Sequence, residues 1–149
     1  MSEATFPHRP VLYQETIQYL APISPKRYLD CTAGAGGHSE GILRECAPNG
    51  ELLALDLDPQ AIDLTRRRLS PFGSRAHVRH LSYLESANAV QQLGWHGVDG
   101  IVMDLGVSSM QLDQSQRGFS FRNEGLLDMR FDPTKGQTAA DLVNTLDEF

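Results

Sequence analysis

Leu29-Asp30-Cys31-Thr32-Ala33-Gly34-Ala35-Gly36-Gly37-His38-Ser39 is the stretch whose reading decides the fold. Arg27-Tyr28-Leu29 leads into it as a short strand that ends on a carboxylate. Three glycines in four residues follow, and then a helical pattern that puts Ile42, Leu43, Cys46 and Ala47 on one face. This is a strand, a ligand loop and a helix start at residues 39–47. Glycine at such a junction lets the backbone take positive φ and lets a ligand approach the main chain without meeting a Cβ atom. Without a ligand, the same residues read as a tight strand-to-helix turn.

The residues around the glycines separate the nucleotide-site readings. A phosphate-cradling loop ends in Gly-Lys-Ser/Thr, and this loop has no lysine. The dinucleotide pattern G-x-G-x-x-G starts at Gly34 and Gly36, but its third position falls on Ser39, and Asp30 would repel a pyrophosphate. A cationic ligand without phosphate suits the loop better. S-adenosylmethionine, with its sulfonium and ammonium, has that charge, and Asp30 and Gly34 are candidate contacts.

Outward from the loop the chain alternates strands and helices. Pro10 opens a helix carrying Tyr13, Ile17 and Leu20, closed by Pro22 and Pro25, and Lys26 to Cys31 is the first strand. Glu51-Leu52-Leu53-Ala54-Leu55-Asp56 is an apolar run of the kind buried on both faces of a parallel sheet. Asp56 ends it about 20 residues after Gly34, the spacing at which a carboxylate receives ribose hydroxyls. Asp58 and Pro59 read as N-cap and first residue of the next helix, on which Arg66-Arg67-Arg68 reads as a solvated face rather than an RNA contact. A third strand covers residues 76–81. His77 and His80, three apart on a strand, face opposite ways and form no metal pair, and no metal site is expected. Tyr83, just beyond that strand, is placed either to stack on an adenine or to pack as a half-buried aromatic. A helix with Leu84, Ala87, Val90 and Leu93 leads to a fourth strand over residues 97–105, which brings Asp104 to a strand end like Asp30 and Asp56. Three acidic strand tips on one rim of a doubly wound sheet support a cationic ligand.

Composition is that of an ordinary globular chain: 149 residues, 40% hydrophobic and 21% charged. No apolar run is long enough to span a bilayer and no secretory signal opens the chain, so the expected location is cytoplasmic, with no membrane partner. Cys31 and Cys46 read as small buried hydrophobes rather than a disulfide or a nucleophile. A net charge of −6 argues against a surface that grips phosphates throughout, while leaving room for a local basic strip.

Asp104-Leu105-Gly106-Val107-Ser108-Ser109-Met110-Gln111-Leu112-Asp113 is more specific than the glycine loop. It occurs with His8-x-Pro10-Val11-Leu12, Gly36-Gly37-His38, Asp56-x-Asp58-Pro59-Gln60-Ala61, Arg117-Gly118-Phe119-Ser120-Phe121 and Leu127-Asp128-Met129-Arg130-x-Asp132-Pro133. Together these resemble the MraW/RsmH family, bacterial 16S ribosomal RNA (cytosine-N4)-methyltransferases, along essentially the whole chain. The resemblance implies a Rossmann-like class I methyltransferase fold, α/β, with a parallel sheet and helices on both faces. It also implies S-adenosylmethionine as cofactor and a cytosine in the decoding region of 16S ribosomal RNA as target, within an assembled small subunit. The family's cofactor contacts fall on Gly36, Gly37, His38, Asp56, Tyr83, Asp104 and Gln111. Asp104 is the candidate catalytic residue, nearest the methionine end of the cofactor and the target amine. A noncatalytic module binding S-adenosylmethionine or a nucleotide, and a dinucleotide-dependent oxidoreductase, are the alternative readings.

After residue 112 the character changes. Arg117, Phe119, Phe121, Arg122 and Arg130 interleave cations with aromatics, a composition suited to phosphate contact and base stacking, or equally to a packed loop. Residues 1–112 are therefore expected to be the N-terminal part of the methyltransferase domain, and 113–149 the start of an inserted substrate-recognition subdomain. Thr138 with Asp141, and Thr145 with Glu148, form successive capping boxes. With family members much longer and the fourth strand left as an edge, the sequence reads as the N-terminal portion of a longer protein, truncated after that strand and the start of the insert, its activity alone uncertain.

Overall fold

A computed structural model describes residues 10–122 and 124–146. The chain forms two compact units, Met1–Asp104 and Leu105–Phe149.

The first unit holds a four-stranded sheet. Its elements are α1 (Tyr13–Leu20), β1 (Arg27–Asp30), α2 (Gly37–Glu45), β2 (Glu51–Asp56), α3 (Pro59–Leu69), β3 (Ala76–His80), α4 (Ser86–Gln92) and β4 (Gly100–Val102). The strands lie in the order β3-β2-β1-β4, with each neighbouring pair parallel. The order reverses beside β1, and ligands of open α/β sheets bind in the crevice beyond the strand ends at such a reversal. The glycine loop leaves β1 and Asp104 follows β4, so both stand at that crevice.

The two central strands are apolar throughout because both of their faces are covered. Tyr28, Leu52 and Ala54 pack on one side with Ile42, Leu43 and Cys46 of the α2 segment and Leu69 of α3. Leu29, Leu53 and Leu55 alternate to the other side and pack with Ala89 and Val90 of α4 and with Trp95. Cys31 and Cys46 are free, buried thiols, and burial raises both above the ordinary thiol range, which fits packing residues and not nucleophiles.

Local chemistry accounts for most boundaries and for the corrections to them. Asp58 caps α3, its Oδ1 accepting from the backbone N–H of Gln60 at 2.9 Å, with Pro59 as first helical residue. Pro10 does not open α1: Leu12 takes a left-handed conformation (φ 50) and the helix begins at Tyr13. The glycine loop is shorter than expected, so α2 starts at Gly37 rather than residue 39. β4 spans only Gly100–Val102 instead of residues 97–105, and Leu84 lies in a 3-10 turn ahead of α4.

The second unit carries α5 (Ser109–Asp113) and α6 (Ala139–Thr145). Thr138 and Asp141 form the expected capping box of α6. His8 and the Glu148 member of the second box lie outside the described residues.

Candidate cofactor crevice

The three strand-end aspartates, alike in sequence, have three different environments. Asp30 is 1% exposed. Its Oδ2 accepts from Ser39 Oγ at 2.6 Å and its Oδ1 from the Thr32 backbone N–H at 3.1 Å, so it ties the loop to α2. Burial raises its pKa, against the opposing pull of those two donors. The side chain of Asp30, a candidate ligand contact from the sequence, is thus turned inward onto Ser39 and Thr32.

Asp56 is partly buried; its Oδ2 accepts the Gly34 backbone N–H at 2.8 Å and its Oδ1 the Asp58 backbone N–H at 2.9 Å, and the Leu57 N–H also favours its charged form. A carboxylate has about four acceptor positions, so it keeps capacity for a further donor. Its pKa is also raised, first by burial. Asp104 is exposed, and its side chain accepts no hydrogen bond among the described residues. Its backbone N–H donates to Thr32 Oγ1 at 2.7 Å.

The loop itself is held from α3. Thr65 Oγ1 donates to the Gly34 carbonyl at 2.9 Å, and Arg68 Nη1 donates to the Ala35 carbonyl at 2.9 Å. Arg68 also pairs with Glu40 of α2, Nε to Oε2 at 2.9 Å. Gly36 has φ 78, and a Cβ there would stand 3.3 Å from Thr65 and from the Arg68 side chain, so the close seat of loop on helix needs glycine. Gly37 meets a second constraint, because a Cβ on it would collide with the ring of Pro10. His38 is buried beside the same segment. Its Nε2 donates to the Val11 carbonyl at 3.1 Å, since a carbonyl only accepts, and its ring stacks on Tyr13 with centroids 6.2 Å apart.

Tyr83 is 39% exposed at the start of the turn after β3, where Ser82 accepts from the Leu84 backbone N–H. His77 and His80 have separate partners, Glu51 Oε2 at 3.0 Å and the Leu57 carbonyl at 2.7 Å.

In the second unit, Gln111 is 3% exposed and completes a capping box with Ser108, its Oε1 accepting from the Ser108 backbone N–H at 3.0 Å. Arg117, which the sequence suits to an RNA contact or equally to a packed loop, is buried and donates through Nη2 to the carbonyls of Arg130 and Phe131 at 3.1 and 3.0 Å. Arg130 holds Asp128 with two nitrogens, at 2.9 and 2.6 Å, and Phe119 tilts against Phe131 at 5.4 Å. That bidentate pairing pulls the Asp128 carboxyl down to about 2. Phe121 and Arg122 are exposed, the pair of the five whose side chains are not committed to packing within the unit.

Thr32, Thr65 and Arg68 were not singled out as site residues from sequence. The signal was present for two of them. Thr65 and Arg68 are three apart on α3, and Thr65 sits in the buried set with Ala61, Ile62 and Leu69.

A parallel sheet with this strand order, a glycine loop at its switch point and carboxylates around it define a Rossmann-like domain of the class I methyltransferase kind. The C-terminal domain of precorrin-6Y C5,15-methyltransferase from Rhodobacter capsulatus shares that fold, with a TM-score of 0.54 at 14% identity over 72% of this chain and 55% of that one. Residues 5–149 match the MraW methylase family, and the chain belongs to it. It is 50% identical over 138 residues to ribosomal RNA small subunit methyltransferase H of Maridesulfovibrio salexigens, covering 92% of this chain and 43% of that protein. It is 49% identical over 143 residues to the protein of the same name from a Geobacter species, covering 96% and 46%. The chain thus spans less than half the length of the curated relatives it matches.

Proposed function

We propose that the chain is the cofactor-binding portion of an S-adenosylmethionine-dependent methyltransferase acting on N4 of a cytosine in 16S ribosomal RNA, in the decoding region of the small subunit, in the bacterial cytoplasm. The observation that carries the reading is the switch-point crevice, where a lysine-free glycine loop faces strand-end carboxylates. The fit is one of charge and space. Among the described residues a Cβ on Gly34 would meet Thr32 O alone, at 4.0 Å, and Arg68, which reaches the loop at the Ala35 carbonyl, is paired with Glu40. A pyrophosphate would find no free cation in the loop, whereas a sulfonium or ammonium finds acceptors.

In this reading Asp56 receives the ribose hydroxyls on its remaining acceptor capacity, Tyr83 stacks on the adenine, and the backbone of Gly34, Gly36, Gly37 and His38 lines the rest. Gln111, on the second unit, is carried by the family likeness. Bound S-adenosylmethionine supplies the methyl group. Cytosine N4 is a poor nucleophile because its lone pair is delocalised into the ring, so an acceptor has to draw on the amine hydrogens during transfer. Asp104, exposed and with no side-chain partner among the described residues, is the acceptor we assign to that task and to the ammonium at the methionine end of the cofactor. The target base has to be unstacked or single-stranded to reach it. Phe121 and Arg122 are the proposed stacking and phosphate contacts for RNA.

Calorimetry with S-adenosylhomocysteine and with NAD tests the reading. Binding of the first and not the second is expected, and the reverse result indicates an oxidoreductase. Asp56→Ala should cost about 1–3 kcal/mol of S-adenosylhomocysteine affinity, the cost of leaving hydroxyls unpaired. Unchanged affinity in that variant removes Asp56 from the ribose site.

A further inference from the structure

We infer that Thr32 is a positioning residue for Asp104, an inference that rests on the cofactor reading above. Regular pairing between β1 and β4 ends where Asp30 lies opposite Val102, with one further bond from the Cys31 N–H to the Val102 carbonyl at 2.9 Å. Beyond that point the two chains part around the switch-point crevice. Thr32 bridges the gap with its side chain: Oγ1 accepts the Asp104 backbone N–H at 2.7 Å. The Thr32 backbone is itself fixed, its N–H donating to Oδ1 of the buried Asp30, whose Oδ2 is held by Ser39 of α2. A chain of hydrogen bonds therefore runs from α2 through Asp30 and Thr32 to the main chain of Asp104. Its first members, Ser39 and Asp30, are buried and its last is exposed.

This explains what a threonine does in the loop at a position where no ligand contact is assigned. β4 is three residues long and stops at Val102, so nothing in the ladder orients Asp104. The hydroxyl of Thr32 stands in for the missing ladder carbonyl. It sets the direction in which the Asp104 carboxylate leaves the backbone, and so the placement of its charge against the methionine end of the cofactor.

The test compares two ligands that differ at that end. S-adenosylhomocysteine carries the amino-acid ammonium, and 5′-methylthioadenosine lacks it. Thr32→Val removes the acceptor at nearly constant shape, and Thr32→Ser keeps it. By calorimetry, Thr32→Val should weaken S-adenosylhomocysteine about tenfold, the scale of one misplaced charge-assisted contact, and leave 5′-methylthioadenosine within about twofold. Thr32→Ser should restore the first ligand, and Asp104→Ala should reproduce the Thr32→Val pattern. If Thr32→Val fails to fold by circular dichroism, Thr32→Ala carries the same comparison. Equal loss for both ligands marks a merely structural residue and overturns the inference, as does no loss for either. If the unsubstituted chain binds neither ligand, the cofactor reading fails and this inference falls with it.

Discussion

Asp30, Asp56 and Asp104 occupy equivalent places in sequence, each closing an apolar run, yet one is buried and spent on Ser39 and Thr32, one is partly spent on the loop backbone, and one is exposed. Position at a strand end is legible from sequence because it follows from where the apolar run stops. The direction of the side chain is not, because it depends on which donors the returning chain presents, and Ser39 is nine residues away on a helix. The difference has a consequence in pH. The Asp30 carboxyl titrates above the unfolded value of 3.8, chiefly through burial, so between those two values the folded state holds a proton that the unfolded state has released. Stability from this group is present in full below 3.8 and is lost as pH rises through the folded pKa. Asp30→Asn keeps an acceptor for the Thr32 N–H and removes the titration. Urea unfolding from acid to neutral pH should show the variant gaining on the parent as pH rises, with a plateau above the folded pKa. Asp56 shifts in the same direction in both proteins, so the difference between the curves isolates Asp30. A difference that stays constant with pH would mean that Asp30 carries no such linkage.

At the scale of elements, the run Arg66-Arg67-Arg68 shows what a charge count hides. All three lie in the last turns of α3, and from sequence they form one solvated face. The helix turns them apart: Arg66 and Arg67 are exposed, while the Arg68 side chain is 12% exposed, clamped between the Ala35 carbonyl and Glu40. The helix itself was legible from its cap and its apolar period. What escaped is that a neighbouring loop supplies carbonyls at the one angular position that Arg68 occupies. The same holds at Arg117, which the composition of 113–135 groups with Arg122 although the fold buries one and exposes the other. Arg68→Met should therefore destabilise the first unit by about 1–3 kcal/mol, because it leaves the carbonyl of the buried Ala35 without its donor and removes one of the two arginines that pair with Glu40, Arg44 remaining. Arg67→Met should fall within about 0.5 kcal/mol of the parent, as exposed substitutions do. Paired thermal and urea melts decide it, and equal effects would return the run to a single solvated face.

For the molecule as a whole, the four-stranded sheet has two edge strands among the described residues, β3 and β4, and the β4 edge is the one flanked by bare apolar side chains. β1 and β2 have both faces covered, but β4 pairs with β1 alone and presents its second edge unpaired among the described strands. Register places Ile101 opposite Leu29, hence on the face that Ala89, Val90 and Trp95 cover farther along the sheet. Over β4 that cover is missing: Ile101 is 55% exposed, and Met103 beyond it 47%. Val102, on the opposite face, is packed into the core. An open strand edge beside bare apolar side chains is a template for pairing with another chain, and charged residues on such edges are how soluble sheets prevent it. The 149-residue chain carries no charge at positions 100–103. Sedimentation at increasing concentration should accordingly give an average mass that climbs above that of one chain. Ile101→Lys puts an ammonium on the exposed side of the edge, where it remains solvated, and should return the protein towards the monomer. Because Ile101 contributes little to either core cluster, the melting temperature and the affinity for S-adenosylhomocysteine should stay close to the parent values. A parent chain that remains monomeric throughout would show that the edge is protected in solution, and association that persists in Ile101→Lys would place the contact on another surface.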